Sequence, residues 1–238
     1  MSHRLGKVTI TPDGRPFDPS RQALNLLDGA LHPHHPVMRR IPQMAYSLER
    51  DHLVELSGLR VPAHYDCDIF NNGSSFGNHY YFFEVPSRWY ACYQHRAALL
   101  SGLPFATPML PMVDDEYHEA VAVYHTVLRA VHAHRRNPQR ALVFGELGAR
   151  WGTWGGRAAS LARLLAPSMP TRLYFVEAHE PNCAALETTM NLNQFTNEQY
   201  TLVCARATAA RLLEWARSIE HIDALDLDIQ GAGACPRL

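Results

Sequence analysis

Lysine is almost absent: Lys7 is the only one, so nearly all positive charge is arginine. Basic and acidic side chains number 22 and 23, for a formal net charge of −1, and they are spread along the chain. That balance leaves no field to draw in nucleic acid or an anionic membrane surface, and it suits a small-molecule partner better. No run of 18 apolar residues exists to span a bilayer, and the opening "MSHRLGKVTITPDGRP" lacks the apolar core of a signal peptide. A cytoplasmic protein is therefore expected. Cys67, Cys92, Cys183, Cys204 and Cys235 are odd in number, widely spaced and never in a CxxC pair. They predict neither a disulfide framework nor a zinc knuckle, and point to a reducing compartment.

What is present is an ordinary globular composition, 47% hydrophobic and 19% charged over 238 residues, enough for one domain with an appendage. Eleven of the 16 prolines fall at or before Pro111, so the chain divides near residue 112. Residues 1–112 form an irregular, aromatic-rich cap or substrate-side region, and residues 113–238 form the regular domain. In the first part "SRQALNLLDGALH" and "AYSLERDHLVELSGL" have helical spacing, the former with Ser20 as N-cap. "HYYFFEV" reads as a buried strand in an aromatic stretch between 65 and 93 that can roof a site, with Trp89 and Tyr90 as candidate acceptor contacts.

Past Asp114 the pattern changes. Tyr117, Val121, Tyr124, Leu128 and Val131 predict a helix capped by Asp114 or Asp115 and ended by Asn137-Pro138. Strand-like "ALVFGEL", "RLYFVEA", "YTLVCA" and "IDALDLDI" then alternate with helix-like "WGGRAASLARLLA", "PNCAALETTMNLNQF" and "ATAARLLEWARSI". Alternation of this kind predicts an α/β fold, a Rossmann-like parallel sheet with helices on both faces.

In such a sheet the ligand lies beyond the carboxyl ends of the strands, at the first strand-to-helix turn. Here that turn reads "GELGARWGTWGGR". A P-loop is excluded because no lysine stands there to reach a phosphate. A dinucleotide site needs G-x-G-x-x-G, whereas Gly148, Gly152 and Gly155 are spaced differently, and Glu146 would repel a diphosphate. S-adenosylmethionine has a sulfonium and an ammonium group and no phosphate, so an acid there helps. Glu177, ending the second strand, can accept hydrogen bonds from both ribose hydroxyls, a role common to NAD and S-adenosylmethionine sites.

With "DDEYHEAVAVYHTVLRAV", "FGELGARWGTWG", "FVEAHEPNCAALETTMNLN" and "IDALDLDIQGAG" in that order, residues 114 to 234 resemble the FkbM-type family of S-adenosylmethionine-dependent methyltransferases. The resemblance implies a seven-stranded methyltransferase fold in which Glu146, Gly148, Ala149 and Gly152 hold the methionine part of the donor. It further implies that Glu177 binds the ribose, that Asp228 faces the reacting methyl as general base, and that the acceptor is a hydroxyl of a small molecule or sugar. Arg150, Asp226 and Gly233 depart from the family pattern, and the chain ends at Leu238 after the fourth strand, where the family has three more. Two rivals stand beside an active methyltransferase: a truncated, catalytically impaired donor-binding protein and, more weakly, an NAD-dependent oxidoreductase.

The remaining signals read as structure. His118, His125 and His132 form one helical stripe, but neighbours are roughly 10 Å apart, too far to share a metal ion. They are expected to border the Tyr117, Tyr124, Val131 apolar row. "HPHHP" at 32 to 36, and His64, Asp66, Cys67 and Asp68, have no zinc-site spacing, so no metal is expected. Trp151 and Trp154 should pack beneath the helix that follows the turn, with either in reach of the donor. Glu180 beside Pro181 reads as a first-turn acid, and Asn72-Gly73-Ser74 as a chance glycosylation acceptor.

Overall fold

Four parallel strands form the centre of the molecule. The computed structural model describes residues 35–63, 86–108 and 116–229. The expected helix at 20–32, the "HYYFFEV" strand, the His64 to Asp68 cluster, Asn72 to Ser74, Asp114, Asp115 and Gly233 lie outside the described residues, as do the side chains of Trp89 and Tyr90.

A 3-10 helix, Met38–Arg40, precedes β1 (Tyr46–Ser47), β2 (His52–Val54) and β3 (Arg60–Pro62). Helix α1 (Pro86–Leu100) and β4 (Phe105–Ala106) follow, then α2 (Tyr117–Arg136). The regular part runs β5 (Leu142–Leu147), α3 (Thr153–Leu165), β6 (Thr171–Glu177), α4 (Glu180–Leu192), β7 (Tyr200–Cys204), α5 (Ala209–Arg217), β8 (Ala224–Leu227). Every expected strand and helix from residue 141 onward is present. The sheet order is β7-β6-β5-β8, all parallel, with β1 and β4 forming a separate antiparallel pair.

Alternation along the strands divides the sheet into two faces. Leu142 and Phe144 of β5 and Leu173 and Phe175 of β6 join the main core with α2 and α3. On the other face Leu147, Tyr174 and Val176 pack with Leu212 and Trp215 of the α5 segment, where Tyr174 and Trp215 stack at 4.6 Å. Gly145 belongs to that second face, and a Cβ there would lie 2.7 Å from Trp215. Helix α3 is packed on several sides: its residues from Thr153 to Ala162 are all buried. Its alanines and glycines permit that approach, since a Cβ on Gly155 would lie 2.5 Å from Phe175.

The segment 45–59 holds β1, β2 and the turn that leads into β3 rather than the expected helix. β2 and β3 pair antiparallel, and the turn is closed by Glu55 N–H to Leu59 O at 2.8 Å, with Gly58 at φ +81°. Leu53, Leu56 and Leu59 are all buried, so a hairpin strand, its turn and the start of the next strand have reproduced a helix-like spacing. Helix α1, 15 residues, is likewise more regular structure than the proline content predicted; Pro86 sits at its start, where the missing N–H costs nothing. Glu116 precedes α2 without a side-chain cap hydrogen bond, while Asn137 ends it as expected.

The hairpin docks onto the α/β part through directional contacts. Asn193, just past α4, accepts from Arg60 N–H at 2.8 Å and donates to Arg60 O at 2.7 Å, which continues β3 as a strand neighbour would. Arg157 of α3 donates twice to Glu55, at 2.6 and 2.8 Å, and lies over the Trp154 ring at 4.4 Å. Burial opposes its charge, but the adjacent Glu55 and Glu116 carboxylates outweigh burial and raise its pKa.

The cysteine expectation is overturned. Cys183 and Cys204 form a disulfide with Cα atoms 5.9 Å apart, and Cys92 is disulfide-bonded as well. Sequence distance hid the pair: Cys204 lies opposite Glu177 in the β6–β7 register, and Cys183 lies in the first turn of α4, which starts where β6 ends. Disulfides are uncommon in reducing compartments, so cysteine usage no longer supports a cytoplasmic location. Among the described residues no helix is long and apolar enough to cross a membrane.

Arg157→Ala would leave Glu55 without its bidentate partner inside the α3 interface. A loss of about 3 kcal/mol in urea unfolding is expected, as for breaking other buried pairs. A loss below about 1 kcal/mol would mean the pair is solvated and carries little of the docking.

Candidate functional site

The strand order places a crevice where the chain reverses direction: β6 and β7 build outward on one side of β5, and β8 returns to the other. Gly148 makes the turn out of β5 at φ +86°, and a Cβ there would stand 1.9 Å from the carbonyl oxygen of Asp228. Only glycine meets both constraints. Its N–H donates to Val176 O at 2.8 Å, and Asp228 N–H donates to Leu147 O at 2.9 Å, so the ends of β5, β6 and β8 are tied together.

Strand parity decides where the acids point. Glu146 follows Phe144 by two, Glu177 follows Phe175 by two, and Asp226 is opposite Glu146 in the β5–β8 register. All are on the α3 side of the sheet. There a cavity of about 590 Å³ opens, lined by Glu146, Gly148, Glu177 and Asp228 among others. The structure thus brings four of the six expected site residues together. Ala149 and Gly152 are not among the lining residues. Ala149 is fully buried in the core, and Gly152, at φ +79°, faces Met190 and Leu186 across the start of α3. Both shape the turn without facing the cavity.

Glu146 is buried, and its two carboxylate oxygens accept from the N–H groups of Trp154 at 3.1 Å and Gly155 at 2.8 Å. It therefore ties the carboxyl end of β5 to the amino end of α3, whose first N–H groups have no partner within the helix. Burial pushes its pKa up to about 8, a rise that the two N–H groups and Arg157 oppose and that Asp226 adds to. Asp226 is itself pushed up to about 6, by burial and then by Asp228.

Glu177 is held similarly: one oxygen accepts from Arg150 N–H at 2.8 Å and the other from His179 N–H at 2.8 Å. The Arg150 bond helps to hold that residue at φ 50°, uncommon for a non-glycine. Each carboxylate oxygen keeps a second lone pair for a ligand hydroxyl.

Several further residues line the cavity. Thr153 opens α3, and its hydroxyl is buried with no hydrogen-bond partner among the described residues, at the cavity wall. Asn182, Arg206 and Glu116 also line it. Arg206 was within reach of the rule that ligand contacts follow strand ends, since it comes just after β7; nothing in the sequence pointed to Glu116. Trp154 lines the cavity and Trp151 packs with Leu59 and Val61, so both are buried around α3 as expected. His118, His125 and His132 are exposed beside the buried Tyr117, Tyr124 and Val131, and no metal-binding cluster occurs among the described residues. Glu180 starts α4 with Pro181 beside it.

The lining includes four carboxyl groups, of Glu116, Glu146, Glu177 and Asp228, against two guanidiniums, of Arg150 and Arg206. A cationic or hydroxyl-bearing ligand fits that balance better than a diphosphate. No family model matches the chain, and no curated protein matches it.

The raised Glu146 pKa has a thermodynamic consequence. An unfolded chain releases this proton near the ordinary glutamate value of 4.5, and the folded protein keeps it until about 8. The folded state therefore binds more protons across that window, and this group's contribution to stability falls as pH rises from about 4.5 to about 8. The melting temperature of Glu146→Gln should depend less steeply on pH over that range than that of the unaltered protein. Parallel profiles would show that Glu146 is ionised throughout. Separately, Gly148→Ala should fail to give a folded, protease-resistant protein, because the clash is with backbone.

Proposed function

We propose that the protein binds S-adenosylmethionine at the β5–β8 crevice and transfers its methyl group to a hydroxyl of a small molecule. The observation that carries this reading is that Glu146 and Glu177, at the ends of adjacent strands, line one cavity with no lysine among the described lining residues. Glu177 would accept from the ribose hydroxyls with the lone pairs that Arg150 and His179 leave free. The ligand's carboxylate would take the unpartnered Thr153 hydroxyl at the amino end of α3, where the helix dipole favours negative charge. Glu146 would face the ammonium group with the full negative charge it gains on giving up its proton, and Trp154 offers an apolar wall.

When bound, the donor supplies an electrophilic methyl on sulfur. The protein's task is then to align the acceptor in line with that bond and to remove the acceptor's proton. Asp228, on the same cavity wall and after the strand beside β5, is the proposed base. The lining acids also disfavour the NAD alternative, because a diphosphate would enter among four carboxyl groups.

Titration calorimetry with S-adenosylmethionine and with its demethylated product tests the site. Binding is expected, with Glu177→Ala weakening it by about tenfold or more, the usual cost of removing a charged hydrogen-bond partner. At pH 7 the heat should also depend on the buffer's ionisation enthalpy, because a cationic ligand draws the proton from Glu146, whose pKa is about 8 without ligand. No heat from the unaltered protein, or equal affinity from Glu177→Ala, would reject the assignment. Binding without methyl transfer to any of a panel of hydroxylated acceptors would favour the donor-binding alternative over the enzyme.

A further inference from the structure

A second concavity lies at the opposite end of the sheet, where β5 and β8 begin. It encloses about 410 Å³ and is lined by Arg40, Arg129, Arg136 and Arg140, with His125 and His132. Among the described residues Asp223 is the one acid of this lining, and it is already engaged. Its oxygens accept from Arg140 at 2.7 and 3.3 Å and from Val143 N–H at 3.0 Å. Arg140 is thereby neutralised and fixed, and it also donates to Ala141 O at 3.1 Å. Arg40, Arg129 and Arg136 have no ion pair among the described residues.

Three uncompensated guanidiniums thus share one concavity in a chain whose net charge is −1. They come from two elements: Arg40 from the 3-10 helix, and Arg129 and Arg136 from α2. His125, Arg129, His132 and Arg136 follow at intervals of four, three and four, so they occupy one face of that helix. Complementing the helix dipole accounts for Arg136, in the last turn of α2. It does not account for Arg129, about two turns earlier, or for Arg40, which belongs to another element.

A guanidinium offers a planar fork of donors that matches phosphate oxygens two at a time. Arg129 and Arg136 are seven residues apart, roughly 10 Å along the axis, so one phosphate does not satisfy both without bending two side chains towards it. We propose that this concavity binds a small molecule carrying two or more phosphate groups. A nucleic acid would need the positive charge to continue along a surface, and here it is gathered into one hollow of a chain without net positive charge. The two ends of the sheet would then take ligands of opposite charge, and the assignment is independent of what binds at the β5–β8 crevice.

The test is titration of the full chain with inorganic pyrophosphate and with inorganic phosphate, at low and at raised potassium chloride. Pyrophosphate should bind about tenfold or more tightly than phosphate, and added salt should weaken it. Arg129→Ala/Arg136→Ala should weaken pyrophosphate binding about a hundredfold, at about tenfold per charged contact. Arg40→Ala, a single exposed change on a different element, should cost about tenfold and decides the matter if the double variant does not fold. No binding of pyrophosphate at millimolar concentration, or affinity unchanged in Arg40→Ala, would overturn the proposal. So would tighter binding of a short single-stranded oligonucleotide than of pyrophosphate.

Discussion

The bond between the Glu146 carboxyl and the first turn of α3 is the constraint on which the crevice depends. A carboxyl group taken out of water at the end of a buried strand is costly, and the two N–H groups of Trp154 and Gly155 are costly to bury unpaired as well. Each meets the other's need. Because the donors are backbone, the angle at which β5 hands over to α3 is set by the carboxyl that receives them. The turn between them is then squeezed: Gly148 lies beneath the Asp228 carbonyl, and Arg150 adopts a left-handed conformation with its N–H on Glu177. One set of hydrogen bonds holds both the strand ends and the acids that line the cavity.

That arrangement leaves an acid-lined hollow at one end of the sheet and an arginine-lined one at the other. Parity places Glu146, Glu177 and Asp226 on one face, and the parallel direction of the strands gathers them at one end of it. At the other end, where strands begin, the exposed arginines of α2 and Arg40 collect. The hairpin at β2–β3 is part of the same construction, because Glu55 neutralises Arg157 behind α3 and so keeps a buried guanidinium beside Glu146 from acting alone.

From residue 141 onward the elements could be read directly from the chain, because the alternation of strand and helix there is carried by periodicity and by strand-end acids and glycines. The strand-end acids Glu146 and Glu177 share one cavity with Gly148 and Asp228, the two positions that the family resemblance added. Ala149 and Gly152, also carried by the resemblance, do not line it: a motif position does not say whether a small residue faces a ligand or the core, and at Gly152 the packing of Phe175, Leu186 and Met190 decides that. The hairpin at 52–62 imitates a helix in its sequence because three buried leucines, Leu53, Leu56 and Leu59, recur every third residue. The Cys183–Cys204 pair was invisible for another reason: sequence separation of 21 says nothing about two residues brought together by the β6–β7 register.

By itself the sequence determined the parallel α/β arrangement, the position of the first turn and the absence of a phosphate-binding lysine there, because these follow from local periodicity and from which side chains exist. Tertiary structure alone decided which face each acid shares, the joining of distant cysteines, and the gathering of Arg40 with Arg129 and Arg136. Those outcomes depend on strand order and on how helices lie across the sheet, which bring together residues that have no local relation in the chain.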